Sequence, residues 1–203
     1  MVAEILLRTI PRPCPLIINS MRPLLPLLAL MSATAFAADL TYYIGTSGPQ
    51  AKGILRGTID AETGKLSAPV VIAEAKGASF LALSNDGKVL YATAEVAGGG
   101  VAAYRLSADG KATFLNVQET KGKGATHVSV DQTGKFLFAA NYGSGSVACL
   151  PLQADGSIGA ASSFFQQEGS GPNKGRQAGP HAHGIRALPF LCCHIHVDPP
   201  GLV

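Results

Sequence analysis

The sequence predicts an all-β chain built from β-propeller blades of four strands each. Strand-type segments recur at a long fixed interval, two separate series of turn signals share that interval, and no stretch has the apolar spacing of an amphipathic helix. The strand segments are "LTYYIGTSG" from Leu40, "VLYATAEVA" from Val89 and "FLFAANYGS" from Phe136. Each is a β-branched or aromatic run that ends in small residues. Ahead of the second and third stand the turns "LSNDGK" and "VDQTGK", whose Gly87 and Gly134 lie 47 residues apart. A second series, "IDAETGKLS", "LSADGKATF" and "LQADGSIGA", places Gly64, Gly110 and Gly156 at two steps of 46. Asp and Gly suit tight turns, one by bonding its own backbone and the other by accepting positive φ, so both series mark hairpins. A β-sandwich would show turn signals without this self-similarity. One blade cannot bury both of its faces, so such a fold depends on packing between neighbours and on ring closure.

The segment before the first strand reads as a targeting signal. From Met21 the chain runs "MRPLLPLLALMSATAFAADL", with Arg22, an apolar run from Leu24 to about Ala35, and a small-x-small site at Ala35-Phe36-Ala37. This layout predicts a signal peptide over residues 21–37 and a secreted or periplasmic product. The apolar run is short and broken by proline, so no stable membrane span is expected after cleavage. Residues 1–20 read as an upstream extension, with Met21 as the expected start; a longer leader before a membrane anchor is the alternative. Export permits disulfides, yet Cys14, Cys149, Cys192 and Cys193 imply no framework. Cys149 lies in an apolar strand and is expected to be a small core residue.

A net charge of +3 spread along 203 residues, with no basic stripe interleaved with aromatics, argues against nucleic acid as a partner. "VAGGGV" and "GSGPNKG" are Gly-rich but precede no helix, so they read as hairpin tips or insertions rather than phosphate loops. A G-x-S-x-G elbow is absent, which disfavours a serine-hydrolase mechanism.

Several stretches resemble the seven-bladed propeller family of bacterial 6-phosphogluconolactonases and fungal carboxymuconate-lactonising enzymes. They are "YIGT" (43–46), "SFLALSNDGKVLYATAE" (79–95), the block from His127 to Gly159 and "RQAGPHAHGI" (176–185). The resemblance covers about residues 40–187 and implies a partial propeller of about three of seven blades over 38–187. Two departures stand out. Ala94 precedes Glu95 where the family has Asn, and after Ala187 the chain reads "LPFLCCHIHVDPPGLV" where a "D-x-x-G-K-F" turn should follow. Residues 188–203 therefore read as an out-of-register tail, with a frameshift as the simplest cause.

In "PHAH", His181 and His183 are two apart, so in a strand they share a face. An imidazole titrates near neutrality and can deprotonate a water that attacks a lactone; a packed, hydrogen-bonded pair is the alternative. The resemblance puts this strand on the channel-lining part of a blade and Arg176 just ahead of it. A guanidinium there could hold an oxyanion or a phosphate. Lys174 reads as a surface charge. Glu95, His127 and Asn141 are candidate substrate-binding residues by their blade positions, with inter-blade hydrogen bonding the favoured role for the last two. "CCHIH" (Cys192, Cys193, His194, His196) matches no zinc spacing, and neither metal nor cofactor is expected.

The expected function is hydrolysis of a small-molecule sugar lactone of the 6-phosphogluconolactone kind, with His181 or His183 as base and Arg176 as anion holder. Carboxymuconate cycloisomerisation and a non-catalytic binding platform remain alternatives on the same scaffold. With open faces and unpaired edges, the 203-residue chain is expected to be inactive and poorly soluble alone.

Overall fold

The computed structural model describes residues 5–7, 39–96, 99–187 and 193–197, with side chains described for 39–96 and 99–187. The expected signal peptide over 21–37 lies outside the described residues. Within them every regular element is a strand. In chain order these are β1 (Ile5–Leu7), β2 (Leu40–Gly45), β3 (Ile54–Ile59), β4 (Val70–Ala73), β5 (Leu81–Leu83), β6 (Val89–Ala94) and β7 (Gly100–Leu106). They continue as β8 (Ala112–Glu119), β9 (Ala125–Val130), β10 (Phe136–Asn141), β11 (Ser146–Pro151), β12 (Ser163–Gln166), β13 (Ala182–Ala187) and β14 (Cys193–Val197). They form three four-stranded antiparallel sheets, β1–β4, β5–β8 and β9–β12, and a two-stranded sheet of β13 and β14. The chain is a partial β-propeller: three blades and two strands of a fourth.

The two turn series have distinct places. "LSNDGK" and "VDQTGK" join the first two strands of blades two and three, β5 to β6 and β9 to β10. The "DxxxG" and "ADG" turns join the last two strands of each blade. Gly64, Gly87, Gly110, Gly134 and Gly156 all have φ between 67° and 83°, the left-handed conformation the sequence calls for. The aspartates cap these turns. Asp131, only 8 % exposed, accepts from the backbone N–H groups of Thr133 (3.0 Å), Lys135 (2.9 Å) and Phe136 (2.9 Å) and from the Thr133 hydroxyl. Burial alone would raise its carboxyl, but these donors outweigh it and hold the group below its ordinary value.

The core is divided between blade interfaces, and strand alternation explains how. On β6 and β7, Leu90, Ala92, Ala102 and Tyr104 face blade one and pack with Tyr43 and Ile54. The intervening Val89, Tyr91, Val101 and Ala103 face blade three, meeting Val128, Leu137, Ala139, Ala148 and Leu150. The other face of blade three, Ala140 and Val147, packs on Ala182 and Ile185 of β13. Central strands are thus apolar on both faces, which is why β6 is buried along nearly its whole length. Blades one and two approach closely at the hub: a Cβ on Gly45 would lie 2.1 Å from the carbonyl oxygen of Ala78.

Three local outcomes differ from expectation. Cys149 is half-buried rather than a core residue; it shares the Val147 face, toward a fourth blade whose described part is two strands. Residues 193–197, in the tail that breaks the repeat, pair with β13 in the place of a second strand. Residues 5–7, in the upstream extension, pair with β2.

Asp131→Ala is expected to cost about 1–2 kcal/mol, because it strands three backbone donors under the β9–β10 turn. Asp109→Ala, in an exposed outer turn, is expected to shift the urea midpoint far less. Urea denaturation of the two variants checks the ranking.

Candidate active site at the hub end of the blades

In each blade one end of the sheet gathers the start of the first strand and the end of the second. The 47-residue repeat carries Glu95, just past β6, onto Tyr142, just past β10. Both are anchored alike, Glu95 N–H donating to Lys76 O (2.9 Å) and Tyr142 N–H to Gly124 O (2.9 Å). Pro180 and His181 enter at this end next to blade three: a Cβ on Gly145 would lie 2.2 Å from Pro180 O.

His181 and His183 do converge, and Tyr142 is what brings them together. The His181 ring stacks on Tyr142 with centroids 4.3 Å apart and planes 14° from parallel. His183 meets the same ring edge-on at 4.9 Å and 84°. The His181 ring lies between two main-chain carbonyls. His181 Nδ1 lies 2.9 Å from Tyr142 O, and its Nε2 lies 3.1 Å from Arg176 O. Between these two carbonyl oxygens, of which a neutral imidazole donates to one, and stacked on Tyr142, the His181 ring packs the Gly-rich loop against blade three. His183 is exposed. Arg176 is exposed too, in the turn 174–176, and its backbone is held by the His181 contact and by Arg176 N–H donating to Asn173 O (3.1 Å). Lys174 is an exposed side chain whose Nζ lies 3.2 Å from Ser170 Oγ.

Two candidates from the sequence stand inside the protein. Asn141 is fully buried; its Oδ1 accepts from Thr120 Oγ1 (2.7 Å) and its Nδ2 donates to Ser146 Oγ (3.2 Å). It also leaves no room for a Cβ on Gly122. Asn141 therefore secures the crossover from blade two to blade three rather than presenting its amide to a ligand. His127, 7 % exposed, sits between blades: Phe80 of blade two packs on its ring (4.3 Å), and Ile185 N–H of β13 donates to its Nδ1 (3.4 Å). Burial first, and the Arg186 charge second, push its pKa down to about 4. The ring stays neutral at pH 7 and acts as an inter-blade acceptor. Glu95 is exposed and lines a separate cleft between blades one, two and three.

Among the described residues no group of three or more His, Cys, Asp or Glu side chains is placed to hold a metal ion. Cys192, Cys193, His194 and His196 lie outside the described side chains. No helix among the described residues is long and apolar enough to cross a membrane. Tyr142 is the site residue that sequence reasoning missed. The repeat that singles out Glu95 also points to it, one position beyond Asn141.

Residues 41–192 match the family described as Lactonase, 7-bladed beta-propeller. The chain belongs to this family. It is 38% identical over 150 residues to a 6-phosphogluconolactonase of Bacillus subtilis, covering 71% of this chain and 43% of that protein. A 6-phosphogluconolactonase of Formosa agariphila is 35% identical over 109 residues, or 52% of this chain and 31% of the relative. A Bacteroides fragilis structure superposes with TM-score 0.68 at 34% identity, covering 78% of this chain and 44% of the other. The periplasmic gluconolactonase of Pseudomonas aeruginosa gives TM-score 0.66 at 25% identity, covering 72% and 44%. This lactonase-family chain spans less than half the length of these relatives.

The buried His127 makes stability depend on pH. The unfolded chain takes up a proton at this ring near pH 6.5 and the folded chain only near 4, so stability falls as pH drops through that window. The loss is of order 3 kcal/mol. His127→Gln is expected to flatten this part of the profile, measured by urea midpoints between pH 4 and 7. At the site, Tyr142→Ala is expected to remove the aromatic contact of both imidazoles while the main-chain contacts of His181 stay, whereas Tyr142→Phe keeps the stacking. NMR line widths of the two histidine rings distinguish the variants.

Proposed function

We propose that this chain carries the blades of a sugar lactonase in which His183 activates water and Arg176 holds the anionic part of the substrate. The observation that carries the reading is the exposed His183 beside the Tyr142–His181 stack, at the end of the blades where first strands begin. Water adds to the lactone carbonyl carbon as His183 takes its proton. The resulting oxyanion collapses, the ring C–O bond breaks, and the leaving alkoxide recovers the proton from His183 as the hydroxy acid forms. His181 serves this step indirectly, since its contact with Arg176 O fixes the root of the guanidinium-bearing side chain. A bidentate guanidinium suits either the oxyanion or a phosphate.

The lactonase names of the Bacillus and Pseudomonas relatives support the substrate class. The signal-like segment over 21–37 supports action in a secreted or periplasmic setting. That setting favours an unphosphorylated sugar lactone over a phosphorylated cytosolic metabolite. A role in glucose metabolism follows from the same substrate class.

A chimaera tests this in a closed ring: residues 39–187 replace the matching blades of the Bacillus relative, and hydrolysis of D-glucono-1,5-lactone and 6-phosphogluconolactone is followed. Turnover is expected with at least one lactone, and His183→Ala should lower kcat by about 100-fold or more. Arg176→Ala should act mainly on KM for the anionic substrate. A folded chimaera without turnover, or one indifferent to His183→Ala, rules the reading out.

A further inference from the structure

The segment 168–180, between β12 and β13, is a loop closed on itself. Gly171 N–H donates to Gln177 O (2.8 Å), the N–H groups of Gln177 and Arg176 both donate to Asn173 O (2.6 and 3.1 Å), and Asn173 N–H donates to Gln177 Oε1 (3.1 Å). Glycines stand at both of its ends. Gly169 has φ of +132°, and a Cβ on either Gly169 or Gly179 would meet nothing within 4 Å. A self-bonded unit between two unhindered glycines can swing as one body. The His181 ring is where it meets blade three, with Nε2 3.1 Å from Arg176 O and Nδ1 2.9 Å from Tyr142 O.

That junction depends on charge. A neutral imidazole carries one N–H, so one of the two carbonyl oxygens faces a ring-nitrogen lone pair; an imidazolium donates to both. Stacking on the Tyr142 face at 4.3 Å also favours the cation. The titratable side chains on the elements packed around the ring are Tyr142 of blade three, His183 and Arg186 of β13, and Glu168, Lys174 and Arg176 of the loop. Lys174 and Arg176 oppose a charge on the ring, but both are exposed and screened by solvent. The two carbonyl dipoles act in direct contact.

We propose that His181 is a positioning residue worked by a proton: charged, it bridges Tyr142 O and Arg176 O and holds the loop against blade three, and neutral, it lets go of one of them. Because only the charged ring makes both contacts, proton uptake and closure of the loop favour each other. The loop is therefore held on the acid side of the imidazole range and loosens as pH rises through it. By the same reciprocity, an anion that pins the held loop through Arg176 favours the charged ring. The latch rests on the loop geometry; its bearing on catalysis rests on the lactonase reading. There the two imidazoles on one Tyr142 ring have opposite needs, His181 working charged and His183 working neutral.

Amide hydrogen exchange of the intact 203-residue chain, corrected for intrinsic chemical exchange and read by mass spectrometry, tests the latch. Exchange over 171–177 is expected to slow about fivefold or more on going from about pH 8 to about pH 5.5. Strands β6 and β7 should not slow, since His127 weakens the fold in the same direction of pH; the opposite sign sets the loop apart. His181→Gln, polar but unable to titrate, should abolish the response of the loop, and His183→Gln should keep it. A loop indifferent to pH, a response that survives His181→Gln, or one lost in His183→Gln would each overturn the latch, the last by assigning the proton to the other imidazole. If the loop responds and the chimaera hydrolyses no lactone, the lactonase reading fails and the latch stands. If the chimaera turns over and the loop is indifferent to pH, the latch alone fails.

Discussion

The apolar contact between the faces of neighbouring sheets is the interaction on which the rest of this structure depends. A fully buried Leu, Ile or Tyr contributes roughly 1.5–3 kcal/mol by leaving water. Ile54, Leu81, Leu90, Tyr91, Leu137 and Leu150 are all buried to that degree at these contacts. The ion pairs Lys88–Asp86 and Lys111–Asp109, each at 3.4 Å, are solvent-exposed and screened, so they contribute little. Packing between blades therefore dominates, and polar contacts set register. Asn85 Nδ2 reaches from the first turn of blade two to Asp131 O (3.1 Å) and Gln132 O (2.9 Å) in the same turn of blade three. Arg105 bonds Asp155 O across the outer turns, and Asn116 Nδ2 bonds Ile158 O at 2.7 Å.

Stacking sheets this way brings their equivalent ends to one side of the molecule. Backbone groups there are satisfied within each blade, which leaves side chains from successive blades side by side. Position by position the repeat is kept in backbone and changed in chemistry. Glu95 and Tyr142 share an anchoring pattern, yet one supplies an acceptor and the other an aromatic platform for two imidazoles. Ser79, just before β5, and Thr126, in β9, likewise lie 47 residues apart, the first in contact with Thr93 and the second with its hydroxyl unpaired.

The fold was legible because its determinants are local and periodic. Turn glycines need positive φ, turn aspartates need nearby N–H groups, and central strands need apolar residues on both faces; each leaves a mark at 46–47-residue spacing. The site was only partly legible. His183 lies in β13 as strand periodicity expects, whereas His181 precedes that strand, and its place is set by Tyr142 O and Arg176 O, which arrive from elsewhere in the chain. For Asn141 and His127 the sequence left two roles open: a polar residue at a hub position can face the ligand side or the next blade, and spacing along a strand does not say which. Burial decided both toward the blade interface. Cys149 failed the opposite way, because apolar sequence neighbours do not guarantee a covering blade.

Amide hydrogen exchange on the intact chain tests most directly whether inter-blade packing is the source of stability. If it is, amides of β6, β7, β10 and β11 share the highest protection and open as one unit, with β4 and β12 exchanging far sooner. Separate opening of the sheets β5–β8 and β9–β12, each with its own free energy, would contradict the account.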